Sequence, residues 1–156
     1  MMNMLKGMVF GFIAGIIAYV TFHEVVNAIF NNAAVWTGWE RPSWDLSPNA
    51  QGFPYILSGS LVGGAWGVLF PLLFGSHPKG PLTFKGLFYG LIGPGLIGAM
   101  IIYPLAMQYS ADIKQGIFLD GQAALIVPTL AKYMAFGASL GWLYGLFVYK
   151  RLPGFG

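Results

Sequence analysis

Four long apolar segments alternate with short connections rich in proline, glycine and polar residues. The segments cover residues 7–31, 53–75, 86–108 and 122–149. Each exceeds the roughly 20 residues that an α-helix needs to cross about 30 Å of hydrocarbon. None shows the period-two alternation of a barrel strand. The pattern therefore predicts an all-α, polytopic membrane protein, with four transmembrane helices in a single domain over residues 1–156.

The composition agrees with a chain that is solvated by a lipid bilayer. Hydrophobic residues make up 56% of the chain and charged residues 8%, whereas soluble domains carry about 25% charged residues. The net charge of +3 comes from basic residues scattered singly, so no patch is dense enough for nucleic acid. The absence of cysteine excludes disulfides and thiol chemistry.

The distribution of lysine and arginine predicts the orientation. Five basic residues flank one side of the predicted bundle: Lys6, Lys79, Lys85, Lys150 and Arg151. Arg41 and Lys114 flank the other side. Cytoplasmic loops carry the excess of basic residues, so both termini are predicted to be cytoplasmic. The first outer loop contains three tryptophans that we interpret as headgroup anchors: Trp36, Trp39 and Trp44.

The two halves of the chain, 6–75 and 85–150, share a pattern. "KGMVFGFIAG" at 6–15 aligns with "KGLFYGLIGPG" at 85–95, and "GSLVGGAWG" at 59–67 aligns with "GASLGWLYG" at 137–145. Because both halves begin on the same side, this predicts a parallel internal repeat about an axis normal to the membrane. The alternative is convergent patterning, which any glycine-rich membrane helix can show.

Glycines spaced four residues apart allow helix backbones to approach closely. Every predicted helix carries such glycines, so we expect a bundle held by backbone contact rather than a wide pore. The predicted packing positions are Gly7, Gly11, Gly15, Gly59, Gly63, Gly67, Gly86, Gly90, Gly137, Gly141 and Gly145.

Polar residues interrupt the apolar segments at one level. Glu24 follows Lys6 by 18 residues and Lys132 precedes Lys150 by 18, which places both about 27 Å from the same boundary in straight helices. We expect an ion pair between them, and the alternative is that both lie near the interface and extend their charges to water. The predicted cluster consists of His23, Glu24, Asn27, Tyr103, Lys132 and Tyr133.

Recognisable catalytic motifs are missing. His23 and Glu24 begin a sequence like H-E-x-x-H, but Asn27 occupies the second histidine position, which argues against a zinc hydrolase. No G-x-S-x-G, P-loop or dinucleotide fingerprint is present. We therefore expect no enzymatic activity, no metal and no cofactor.

The leading functional hypothesis is a non-catalytic accessory or scaffold subunit of a larger membrane complex, with other membrane subunits or further copies of the chain as partners. One alternative is a proton-linked carrier of a small solute that uses His23, Glu24 and Lys132. A second alternative is a redox subunit that binds haem or quinone. Its support is His23 and the aromatic content of the chain. The architecture loosely resembles small proteins of the bacterial inner membrane, a likeness that carries no functional motif.

Overall fold

The computed structural model describes residues 3–32, 43–49, 51–107 and 116–149. It confirms an all-helical chain with four helices that are long and apolar enough to cross a membrane. The first helix comprises α-helical Met4–Ala18, a π-helical turn Tyr19–His23 and α-helical Glu24–Asn32. The second is Tyr55–Phe74 and the fourth is Ala123–Tyr149. The third comprises α-helical Leu82–Gly90, π-helical Leu91–Ile102 and α-helical Tyr103–Met107.

The loop between the second and third helices lies beside the end of the fourth helix. Tyr144 donates a hydrogen bond from its hydroxyl to the carbonyl of Ser76 at 3.1 Å, and Tyr149 donates to the carbonyl of Pro78 at 2.6 Å. Gly7 faces Tyr144 and Ser76 as well. The start of the first helix, the loop 75–81 and the end of the fourth helix therefore share one end of the bundle, which we call the lysine end because Lys6, Lys79 and Lys85 lie there.

The first helix packs on the second, and the third packs on the fourth, through glycine. A methyl group on Gly11 would overlap the carbonyl of Gly67, and one on Gly15 would overlap that of Gly63. In the other pair, Gly86 and Gly137 lie against each other's carbonyls, and Gly141 lies against that of Leu82. The absence of a side chain at these positions is what allows the two backbones to touch. Of the other glycines in the predicted packing set, Gly59 faces the Tyr19 ring, Gly90 contacts Tyr133 and Gly137, and Gly145 is buried.

The two helix pairs cross in different registers. If the packing followed the sequence alignment of the halves, the contact of Gly11 with Gly67 would recur as a contact of Gly90 with Gly145. Gly90 instead lies against Tyr133 and Gly137, more than one helical turn away along the fourth helix. The internal repeat therefore stays a prediction from sequence.

Two irregular segments shape the other end of the bundle. The π-helical part of the third helix contains Pro94, which lacks the N–H needed for a regular helical bond. Before the fourth helix, the three residues Phe118–Asp120 all have φ near +55°, a left-handed conformation that side chains disfavour. Leu119 is buried among Met100 and Leu125, and this packing helps to hold the strained turn in place.

Substitution at the glycine contacts tests this packing. We expect Gly67→Ala to destabilise the bundle by about 1–3 kcal/mol, because the added methyl group overlaps backbone that cannot move independently. Ala65→Leu is the matched control, since Ala65 is on the same helix and exposed. Thermal unfolding in detergent measures both variants. Equal unfolding midpoints for Gly67→Ala and the parent would contradict backbone contact at this position.

Candidate functional site

A cluster of polar residues is buried between the first and fourth helices. His23, Glu24 and Asn27 are each 5% exposed, and Lys132 is 4% exposed. His23 ends the π-helical turn, and Glu24 begins the α-helical segment that follows it. Because ionisable groups are costly inside a membrane, such a cluster must find partners within the protein, and it is a candidate functional site.

The π-helical turn creates a hydrogen-bond acceptor in the first helix. In a regular α-helix the amide of Glu24 would donate to the carbonyl of Val20, but here it donates to Tyr19 and Thr21. The carbonyl of Val20 instead accepts the indole N–H of Trp44 at 2.7 Å. Single π turns are frequent at functional sites, and this one provides an attachment point for the connection after the first helix.

Glu24 also binds Trp44, through the backbone amide of Trp44. Its Oε2 atom accepts the amide N–H of Trp44 at 2.9 Å. Trp44 is thus bound to the first helix at both its amide and its indole. Its φ of 53° is a left-handed conformation that costs free energy in a non-glycine residue, and the two hydrogen bonds offset that cost.

His23 connects Glu24 to the aromatic interior. Its Nδ1 atom is 3.0 Å from Glu24 Oε1, and because a carboxylate only accepts hydrogen bonds, this geometry assigns a proton to Nδ1. The imidazole stacks on Tyr19 at a centroid distance of 4.4 Å and lies 5.1 Å from the Tyr133 ring. The Nε2 atom of His23 is buried and has no hydrogen-bond partner, and the hydroxyl of Thr129 is in the same situation.

Asn27 bridges the fourth helix to the loop. Its Oδ1 atom accepts a hydrogen bond from Lys132 Nζ at 3.1 Å, and its Nδ2 atom donates to Ser43 Oγ at 3.0 Å. The amide group thereby satisfies a buried ammonium group on one side and fastens the loop after the first helix on the other. We call the segment Ser43–Trp44 the loop anchor.

Among the described residues, no ion pair joins Glu24 to Lys132, so the expected pairing is not observed. The carboxylate of Glu24 bonds to His23 and Trp44, and Lys132 contacts Asn27, which is almost one turn further along the first helix. Equal distances from the lysine end placed the two residues at one level but did not fix the direction of each side chain. The π turn immediately before Glu24 changes that direction.

None of the contacts described for the cluster involves Tyr103, which is 37% exposed. Twelve π-helical residues precede it, so its face differs from the one counted at 3.6 residues per turn. Tyr133 does lie against His23. Ser43 and Trp44 were missed as members of the site. Trp44 had been interpreted only as a headgroup anchor, while Trp36 and Trp39 lie outside the described residues.

The arrangement favours proton or hydrogen-bond chemistry over metal binding. Among the described residues, no three His, Cys, Asp or Glu side chains lie close enough to hold a metal ion. A histidine that donates Nδ1–H to a carboxylate presents Nε2 as an acceptor, and here that acceptor is buried beside two tyrosine rings. Comparisons of the chain with protein-family models, with curated proteins and with solved structures found no match.

A double-mutant cycle tests which partner Lys132 uses. We expect Asn27→Leu and Lys132→Met to show a coupling free energy of about 0.5–3 kcal/mol, because the two residues form a direct buried hydrogen bond. Glu24→Gln combined with Lys132→Met is the matched control, and its coupling should be the smaller of the two. Thermal unfolding in detergent measures both cycles. The account of Lys132 fails if its coupling to Glu24 is the larger.

Proposed function

We propose that the chain is a non-catalytic accessory or scaffold subunit of a membrane complex. The observation that carries this proposal is the use of the buried polar groups. Both oxygens of Glu24 and both polar atoms of the Asn27 amide bond to groups of the chain itself, including the loop anchor. Groups engaged in this way stabilise a fixed bundle with an ordered outer surface, as a scaffold requires.

The apolar face of the first helix supports the same proposal. Three large aliphatic residues spaced four apart are 36–49% exposed on one face: Val9, Ile13 and Ile17. Helices associate in membranes through the packing of such surfaces. The face suits either lipid or a helix of another subunit.

Extraction of the protein from its native membrane with a mild detergent, followed by native electrophoresis, tests the proposal. We expect the chain to migrate with a stoichiometric partner, or as a defined oligomer, and we expect V9A/I13A/I17A to lose that association while the unfolding midpoint stays near that of the parent. A matched control is L61A/L69A/L72A, which truncates three exposed leucines of the second helix. Migration of the parent as a lone monomer in its native lipids would contradict the proposal.

A proton-linked carrier is the second candidate, because His23 Nε2 is a buried acceptor with no hydrogen-bond partner. Such an acceptor can receive a proton or the donor of a solute, and Glu24 would stabilise the resulting imidazolium. Proteoliposomes loaded with a pH-sensitive dye measure this activity. A carrier predicts proton flux that His23→Gln and Glu24→Gln both abolish and that Tyr103→Phe retains. Flux equal to that of empty liposomes would exclude it.

We further propose that both termini are cytoplasmic and that the membrane is the bacterial inner membrane. The orientation is supported by the basic residues of the lysine end, because cytoplasmic flanks carry the excess of Lys and Arg, and the choice of membrane rests on the loose resemblance in architecture. Because the chain lacks cysteine, single cysteines at the exposed positions Leu46 and His77 can be labelled without background. An impermeant reagent added to whole cells should label Leu46→Cys and not His77→Cys, and the reverse result would invert the orientation.

A further inference from the structure

An apolar groove opens on the membrane face between the second and third helices, at the lysine end. Its volume is about 390 Å³, which lies within the range of small-ligand sites. Phe84, Phe88 and Ile92 form its outer wall and are 52–58% exposed. Phe74 and Tyr89 form its floor, and their rings contact each other at a centroid distance of 6.2 Å.

A lysine closes the end of this groove nearest to the loop 75–81. Lys85 lines the groove, and its ammonium group lies 5.9 Å from the centre of the Phe74 ring. The same ammonium donates a hydrogen bond to the backbone carbonyl of Lys79. Two of its three N–H groups are left for another acceptor. The groove is therefore apolar along its length and cationic at one end.

Within the described residues, the segments that form the lysine end contain no Asp or Glu side chain to neutralise these cations. The acidic residues of the chain are Glu24, Glu40, Asp45, Asp112 and Asp120. None of them falls within the segments that form the lysine end, and within the described residues the only ion pair joins His23 to Glu24. Lys6, Lys79 and Lys85 thus give the described part of the lysine end an excess of positive charge.

We propose that the groove binds an anionic phospholipid, with an acyl chain against Phe84, Phe88 and Ile92 and the phosphate at Lys79 and Lys85. The shape and the charge of the groove point to the same ligand, since an acyl chain matches the apolar wall and a phosphate matches the ammonium groups. Basic pockets between transmembrane helices bind anionic headgroups by this mechanism. The site is remote from the His23 cluster and does not depend on which proposed function holds.

Lipid retention measures the site directly. The purified chain is placed in nanodiscs that contain phosphatidylglycerol and phosphatidylcholine at equal mole fractions. Native mass spectrometry then counts the lipids of each kind that stay bound when the protein is released from the nanodisc. We expect a preference for phosphatidylglycerol. In Lys85→Gln the preference should fall at least about tenfold, because a direct hydrogen bond between a charged donor and the phosphate is lost.

Two variants separate a built site from diffuse attraction. Lys6→Gln removes the same charge at the same end, but Lys6 lies over Phe10 on the first helix, outside the groove, so this variant should retain the preference. Ile92→Trp fills the groove and leaves every charge in place, and it should release the lipid. An unfolding midpoint measured in detergent identifies any variant that fails to fold.

Equal retention of the two lipids by the parent chain would overturn the proposal. Equal losses in Lys6→Gln and Lys85→Gln would also overturn it, because the attraction would then belong to the whole basic end rather than to this groove. Retention of the preference in a folded Ile92→Trp variant would show that no acyl chain enters the groove.

Discussion

The carboxylate of Glu24 sets the main constraint on this bundle. An ionised carboxylate is costly to bury within a transmembrane helix, and only 5% of the surface of Glu24 is exposed. Two hydrogen bonds offset this cost, one from the His23 imidazole and one from the amide of Trp44. Because one of these donors belongs to the loop after the first helix, burial of the carboxylate and the conformation of Trp44 depend on each other.

Glycine contacts pack the helices on each other and support this polar site. Glycine contacts bring the first helix onto the second, and the third onto the fourth, at backbone distance. Ala14 and Ala18, each without exposed surface, continue the small-residue surface of the first helix toward the π turn. Because the helices pack closely between the lysine end and the π turn, the π turn and the polar residues beside it have few alternative arrangements. The chain thus combines a rigid apolar region with one localised polar junction.

The sequence was sufficient to predict the four helices, because long apolar segments have few other solutions in lipid. It also grouped His23, Glu24, Asn27 and Lys132 in one intramembrane cluster, and all four are buried. The partner of Glu24 was not predictable, because a backbone amide such as that of Trp44 leaves no side-chain signature. Tyr103 was misplaced because the count along the third helix assumed a uniform α-helix, whereas π-helical turns arise from tertiary packing that local residue patterns do not specify.

Hydrogen exchange at the amide of Trp44 tests the central claim most directly, namely that the buried carboxylate holds the loop after the first helix against the bundle. The account predicts slow exchange of this amide in the parent protein, because it donates to Glu24 at 2.9 Å. In Glu24→Ala the amide should exchange at the rate of an unstructured peptide, while amides within the second helix keep their protection. Fast exchange at Trp44 in the parent, or unchanged protection in Glu24→Ala, would contradict the account.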